Sequence, residues 1–287
     1  YNWRNNFKCS LNPNMQSLKN SENNNDSISI GGLEKTFKMP NGSYIYHLNS
    51  YETKMTFQEI FIDDIYFKHD LKLPQNPYIF DVGANIGLFS IRARTKYPNS
   101  NIFSFEPSPD LYQILTLNTK KFNSSVKTFQ CGLSNDNKYV TFYYYPDYSI
   151  MSSFFKKSLD DEQVIQIGIK NSSKTSTEKS KFISKRLIEN FKELNCKTIS
   201  LSHFIKKRNI PRIDLLKIDA EKSEIDILKG IKKTDWVKIK NIIIESHTQD
   251  NSSFIIKILN KNGYEIKIHQ ESNFKSTKIN NIIAKQI

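Results

Sequence analysis

Six side chains suited to chemistry each stand at the close of a short apolar run: Asp81, Glu106, Asp219, Glu221, Glu245 and His247. In a parallel sheet, ligand groups gather beyond the carboxyl ends of the strands. Carboxylates there can accept hydrogens from hydroxyls or an ammonium, and histidine is the side chain tuned to move a proton near neutral pH. The most specific spacing lies in residues 78–107, YIFDVGANIGLFSIRARTKYPNSNIFSFEP. The run Tyr78-Ile79-Phe80 ends on Asp81, and Gly83-Ala84-Asn85-Ile86-Gly87 follows. Gly83 permits a sharp turn with bare backbone toward a ligand, and Gly87 lets a helix start pack closely. Glu106 closes a second apolar run 25 residues after Asp81. An acid so placed can accept both hydroxyls of a ribose, so a nucleoside-containing ligand is the first expectation.

Three ligand readings compete with an ordinary strand–turn–helix. A nicotinamide dinucleotide would want G-x-G-x-x-G, whereas Gly83 and Gly87 stand four apart. A P-loop would want Gly-Lys-Ser/Thr, whereas Leu88-Phe89 follows Gly87. S-adenosylmethionine needs no diphosphate cradle, and an Asp closing the strand can hold the ammonium of its methionine part. Spacing alone leaves the dinucleotide and S-adenosylmethionine readings open.

The elements that must position these residues follow from periodicity and punctuation. A helix should run from Ile86 to about Tyr97, stopped by Pro98. Ser108 and Pro109 should start another, as N-cap and first helical residue. Strands are expected at 126–130, 138–145, 213–218 and 241–244, with a closing antiparallel pair at 264–268 and 279–284. Upstream, Pro40-Asn41-Gly42 signals a hairpin, and a helix should start near Thr56 within 53–67. Residues 1–27 read as a polar, Asn-rich arm, and 156–181 as a polar loop or lid.

FDVGANIGLFS, FSFEPSPDLYQILTLN, LLKIDAEKSEIDILKG and IIIESH resemble, in order over residues 78–247, the successive motifs of the FkbM family of S-adenosylmethionine-dependent methyltransferases. The resemblance implies an α/β class I methyltransferase fold: a Rossmann-like, seven-stranded, mostly parallel sheet with helices on both faces. Residues 1–50 would be an N-terminal arm and hairpin. Residues 51–287 would be the methyltransferase domain, with a polar loop or lid inserted at about 147–195. It implies O-methylation of a hydroxyl on a small molecule, a carrier-bound natural product or a glycan sugar. The cofactor would meet Asp81, Gly83, Ala84, Asn85 and Gly87 at the first turn. It would meet Glu106, Pro107 and Ser108 at the second, Cys131 and Gly132 at an adenine wall, and Asp219. Glu221, Ser152 and Ser153 would touch the acceptor, and Glu59 and Tyr66 would line the mouth. His247 would take the acceptor's proton, oriented by Glu245 or Asp219. The alternative is a divalent metal held by Asp219, Glu221 and Glu245. Two departures stand out. Lys222 follows Asp219-Ala220-Glu221 where the family typically has Gly, and Leu201-Ser202-His203-Phe204 replaces Leu-Asp-Asp-Phe.

Bulk properties narrow the rest. No apolar run reaches the length of a membrane span. The net charge of +13 fits either an acidic partner or a Lys-rich solvated surface, and the basic residues are scattered. A nucleic-acid methyltransferase is therefore an alternative, although Ile218-Asp219-Ala220-Glu221 stands where amino-methylating enzymes carry Asn/Asp-Pro-Pro-Tyr/Phe. A non-catalytic module that kept the fold is another. Cys9, Cys131 and Cys196 lie far apart without a C-x-x-C, which fits a reducing, cytoplasmic compartment. The opening at Tyr1 and the polar arm fit a piece of a larger polypeptide.

Overall fold

A computed structural model describes residues 36–40, 42–69, 71–122, 126–173, 176–271 and 277–287. The expected arm at 1–27, with Cys9, lies outside the described residues. The chain opens with the hairpin β1 (Thr36–Lys38) and β2 (Tyr44–Tyr46). Helix α1 (Ser50–Phe57) follows and widens into a π-helical turn at Gln58–Ile62. It starts earlier than expected because Asn49 caps it, accepting from the backbone N–H of Tyr51 at 2.9 Å and of Glu52 at 3.4 Å.

Then come β3 (Tyr78–Val82), α2 (Leu88–Lys96), β4 (Asn101–Phe105), α3 (Pro109–Phe122) and β5 (Val126–Phe129). After these stand β6 (Gly132–Ser134), β7 (Lys138–Tyr144), α4 (Leu159–Ser173), α5 (Thr177–Glu189), β8 (Lys192–Ser200) and α6 (Leu201–Lys207). The last third holds β9 (Leu215–Ile218), α7 (Glu224–Lys229), β10 (Asn241–Ser246), α8 (Gln249–Lys261), β11 (Tyr264–His269) and β12 (Asn280–Gln286).

Seven strands form the main sheet in the order β11-β12-β10-β9-β3-β4-β5. Strands β10, β9, β3, β4 and the edge strand β5 are parallel, and β12 runs antiparallel to both β10 and β11. This is the class I methyltransferase fold. Alternate residues of each strand point to opposite faces. Phe80, Phe103, Leu216 and Ile242 therefore pack under α6, α7 and α8, while Ile79, Ile102, Leu215 and Ile243 pack under α1, α2 and α3. Burial on both faces is why these strands read as unbroken apolar runs. Asn118 of α3 docks the hairpin: its side chain accepts from Tyr46 N–H and donates to the carbonyls of Tyr46 and Ile86, all within 3.0 Å.

A smaller sheet, β6-β8-β7, carries the segment expected as a loop or lid at 147–195. That segment is instead largely helical. Acidic side chains fill the first turn of α4, and Ser176 caps α5 by accepting from Lys179 N–H. The polar composition that suggested a loop is the solvated side of two helices.

Candidate active site

Five of the six strand-end residues, Glu106, Asp219, Glu221, Glu245 and His247, come together at the carboxyl edge of β4, β9 and β10. Gly83 holds φ +75°, and a Cβ there would stand 1.8 Å from the Asp219 carbonyl oxygen. Its bare backbone is thus required by β9's own end as it passes the turn. Gly83 and Ala84 donate their N–H groups to the Phe105 carbonyl, at 3.1 and 3.0 Å. Glu106 follows directly, only 4% exposed. Its Oε2 accepts Asn85 N–H and its Oε1 accepts Ser108 N–H, both at 2.9 Å. Each oxygen keeps a further acceptor site, so the group is fixed in orientation yet still able to bind a diol. Burial pushes the Glu106 carboxyl up to about 7, against the pull of the two backbone N–H groups.

Asp81 does not line the cavity, contrary to the expected ammonium contact. β3 runs through it to Val82, and its side chain points into the sheet's buried face. There Asp81 sits opposite Lys217 of β9, with Lys217 Nζ 3.1 Å from its Oδ1, and Ser90 Oγ donates to its Oδ2 at 2.7 Å. Lys217 Nζ also donates to the Gly83 carbonyl at 2.9 Å and lies 3.6 Å from Asp219 Oδ2. Burial opposes the ammonium, but Asp81 and Asp219 outweigh it, and Lys217 is held charged. This lysine escaped attention in the sequence; its one signal was a cation inside an otherwise apolar buried strand. Tyr66 Oη donates to Asp219 Oδ2 at 3.1 Å, which brings the expected mouth residue to the site.

On the β9–β10 side, His247 lies among three carboxylates. Its Nε2 is 3.3 Å from both Glu221 Oε1 and Glu245 Oε1, and its Nδ1 is 3.3 Å from Glu224 Oε1. Burial works against the imidazolium, but Glu221, then Glu224 and Glu245, raise its pKa well above the usual value. The three carboxylates thus favour the charged imidazolium over the neutral ring. Glu245 is pushed up to about 7 by burial and by Asp219. Glu221 is drawn well below the usual carboxylate range: burial resists, but Lys157 and His247 prevail. Lys157 Nζ pairs with the Glu221 carboxylate, and Ser153 Oγ donates to the Glu221 carbonyl. Asp219, Glu245 and His247 each offer a donor atom, all within 4.8 Å of one another, and can together hold a metal ion. Glu221, a member of the alternative metal set, instead pairs with Lys157 and lies against His247.

Glu221 and Lys222 both lie in the left-handed region, at φ +46° and +77°. That backbone explains why a glycine suits the position after the acid. Lys222 accepts the strain and places its Nζ 2.6 Å from Asp161 Oδ1 of α4.

These groups surround a cavity of about 290 Å³. Gly83, Ala84, Asn85, Glu106, Pro107 and Gly132 line one part, and Asp219, Glu221, Glu245, His247, Glu59 and Tyr66 another. Ser152 lines it as well, whereas Gly87, Ser108, Cys131 and Ser153 support it from outside. Gly87, at φ +92°, would drive a Cβ to 2.8 Å from Leu115 Cδ1. Burial pushes the Cys131 thiol up to about 11, so it is inert. Glu59 is pushed up to about 8 by burial, Glu245 and Asp219. A second unforeseen residue, Glu52, anchors the wall from α1 by accepting Ser149 N–H at 3.0 Å and Ser149 Oγ at 2.7 Å.

The sheet order and the acid-lined cavity at its carboxyl edge define a class I methyltransferase. The sequence profile of the Methyltransferase FkbM domain matches residues 81–266. The chain belongs to the FkbM methyltransferase family. It is 29% identical over 258 residues to 31-O-demethyl-FK506 methyltransferase FkbM of Streptomyces tacrolimicus, covering 90% of this chain and 99% of that protein. It is 29% identical over 264 residues to AMB antimetabolite synthetase AmbE of Pseudomonas aeruginosa, covering 86% of this chain but 12% of the synthetase. It is 25% identical over 229 residues to hexuronic acid methyltransferase AglP of Haloferax volcanii, covering 76% and 80%. Among the described residues, no helix is long and apolar enough to cross a membrane.

Proposed function

We propose that the chain moves the methyl group of S-adenosylmethionine onto a hydroxyl of a small molecule, a carrier-bound natural product or a sugar. The observation that carries this reading is Glu106. Two backbone N–H groups fix its carboxylate beside the Gly83 turn, with acceptor capacity left for a ribose diol. The cofactor supplies an electrophilic methyl on a sulfonium, and the protein's share is alignment and proton handling. Glu106 binds the ribose, and the backbone of Gly83, Ala84 and Asn85 lies along the nucleoside. Asp219, steadied by Tyr66 and Lys217, faces the methionine part in place of Asp81. The Glu245–His247 pair, 3.3 Å apart, takes up the acceptor's proton as one unit. Glu221 and Ser152 position the acceptor.

The relatives named above act, by their names, on 31-O-demethyl-FK506 and on a hexuronic acid, which supports a hydroxyl acceptor. The match to a short stretch of a synthetase supports a place within a larger polypeptide. The reading puts the protein in the cytoplasm, where the methyl donor is made.

Titration calorimetry with S-adenosylhomocysteine, followed by tritium transfer from labelled cofactor to a library of alcohols, tests the proposal. Binding and an O-methyl product support it; no binding at saturating concentration refutes it. A second reading, favoured by the Asp219, Glu245 and His247 donors, puts a divalent ion against the acceptor oxygen. Turnover lost on exhaustive chelation and restored by Mg²⁺ selects it.

A further inference from the structure

The upper wall of the cavity comes from the insertion between β7 and β8. α4 lays Val164, Ile165 and Gly168 over the opening, and Ile150, Met151 and Phe154 continue the apolar surface. Two ion pairs fasten this roof to the floor: Lys157 to Glu221, and Lys222 to Asp161. Both floor residues lie just past Asp219 and Ala220, so the roof is tied to the strand end that carries the acids. Ser158 adds its N–H and hydroxyl to Asp161 at 2.7 and 2.8 Å, which fixes the first turn of α4.

Acids outnumber cations in the lining, and burial favours the protonated form of Glu59, Glu106 and Glu245. Glu59, Glu106, Asp161, Asp219, Glu221 and Glu245 all face the cavity. Among the described residues, the cations of the lining are Lys157, Lys217 and His247. Each already stands against carboxylates: Lys157 against Glu221, Lys217 against Asp81 and Asp219, and His247 against Glu221, Glu224 and Glu245. An acceptor bringing its own carboxylate or phosphate into this space would meet acids on the floor and hydrocarbon on the roof. Like charge and desolvation would both oppose it.

We infer that the acceptor is an uncharged, largely apolar alcohol, selected by the α4 roof and by a lining whose cations, among the described residues, all stand against carboxylates. This rests on the hydroxyl-methylating reading above and narrows it. It separates this chain's acceptor from the hexuronic acid that names one of its relatives.

Three probes share one ring and differ in charge and polarity: 4-tert-butylcyclohexanol, methyl 4-hydroxycyclohexanecarboxylate and 4-hydroxycyclohexanecarboxylate. Glucuronate is the fourth. Calorimetry on the full chain saturated with S-adenosylhomocysteine gives affinity, and transfer from labelled cofactor gives kcat/KM. The expected order is butyl above ester above carboxylate, with about a 100-fold gap between the first and the last in both readouts. Gly168 supplies the variant. A Cβ there meets nothing within 4 Å, so Gly168→Leu extends into open space from a helix position where leucine is also the better helix former. It should raise KM for the butyl alcohol about tenfold, leave S-adenosylhomocysteine affinity within about twofold, and not lower thermal stability. Equal or better use of the carboxylate or of glucuronate overturns the inference, as does an unchanged KM in Gly168→Leu. Binding of S-adenosylhomocysteine with no neutral alcohol bound or methylated overturns the inference alone. Failure to bind S-adenosylhomocysteine overturns the underlying reading as well.

Discussion

Glu106→Gln separates the binding role of the carboxylate from its place in the fold. The acid accepts two backbone N–H groups at 2.9 Å, one on each oxygen. An amide has one acceptor oxygen, so its nitrogen must turn hydrogens against the second backbone donor. Losing that bond and orphaning a buried N–H costs on the order of 1–3 kcal/mol. A second term opposes it. Burial raises the Glu106 pKa from 4.5 to about 7, so the ionised acid is disfavoured in the fold. The cost is absent below the unfolded pKa, grows as pH rises, and reaches roughly 3 kcal/mol above the folded pKa. The amide escapes that cost. The two terms nearly cancel, so at about pH 8 the variant should melt within about 5 °C of the parent. Binding has no such compensation. Replacing an anionic acceptor facing ribose hydroxyls should weaken S-adenosylhomocysteine about 10- to 100-fold. In the parent, affinity should also fall about tenfold per unit below about pH 7, as the carboxylate protonates, and Glu106→Gln should remove that slope. Calorimetry between about pH 5.5 and 8 reads both effects. A variant that binds as tightly as the parent, with the same pH slope, would refute the reasoning.

Lys217→Met should destabilise the fold by about 3–5 kcal/mol in urea titrations, because Asp81 is then buried without its partner; a loss under about 1 kcal/mol would show that the pair is dispensable. Lys222→Gly keeps a backbone suited to φ +77° and removes the tie to Asp161. Its stability should change by less than about 1 kcal/mol while acceptor KM rises severalfold, and an unchanged KM would free the roof from that contact. His247→Ala should cut kcat by on the order of 100-fold or more with S-adenosylhomocysteine affinity unchanged, and normal turnover would remove the Glu245–His247 pair from proton transfer.

The central unit was legible because its physics is local. Buried parallel strands read as continuous apolar runs, and the Gly83 and Gly87 turns need backbone that other residues resist. Glu106 could be placed because a carboxylate just after the second strand has one direction to face. Asp81 was misplaced by a single pleat: β3 continues through it to Val82, and strand alternation turns its side chain to the buried face. Its partner Lys217 comes from a strand more than a hundred positions later in the chain, and no local pattern announces the register that joins them. The same distance hid the setting of His247, whose carboxylates come from the β9 loop, from α7 and from β10. The helices α4 and α5 were unreadable for another reason. Mostly charged and polar residues, with Leu159 and Phe182 among them, occupy their exposed sides, while Ser180 and Ser184 of α5 are buried, so neither helix shows a clean apolar period.

A crystal structure with S-adenosylhomocysteine bound tests the central claim most directly. The account predicts both ribose hydroxyls within hydrogen-bond distance of the Glu106 carboxylate, with the sulfur facing Asp219, Glu245 and His247 beneath α4. A saturating soak that leaves this cavity filled by the chain's own side chains, or that places the nucleoside away from Glu106, would contradict it.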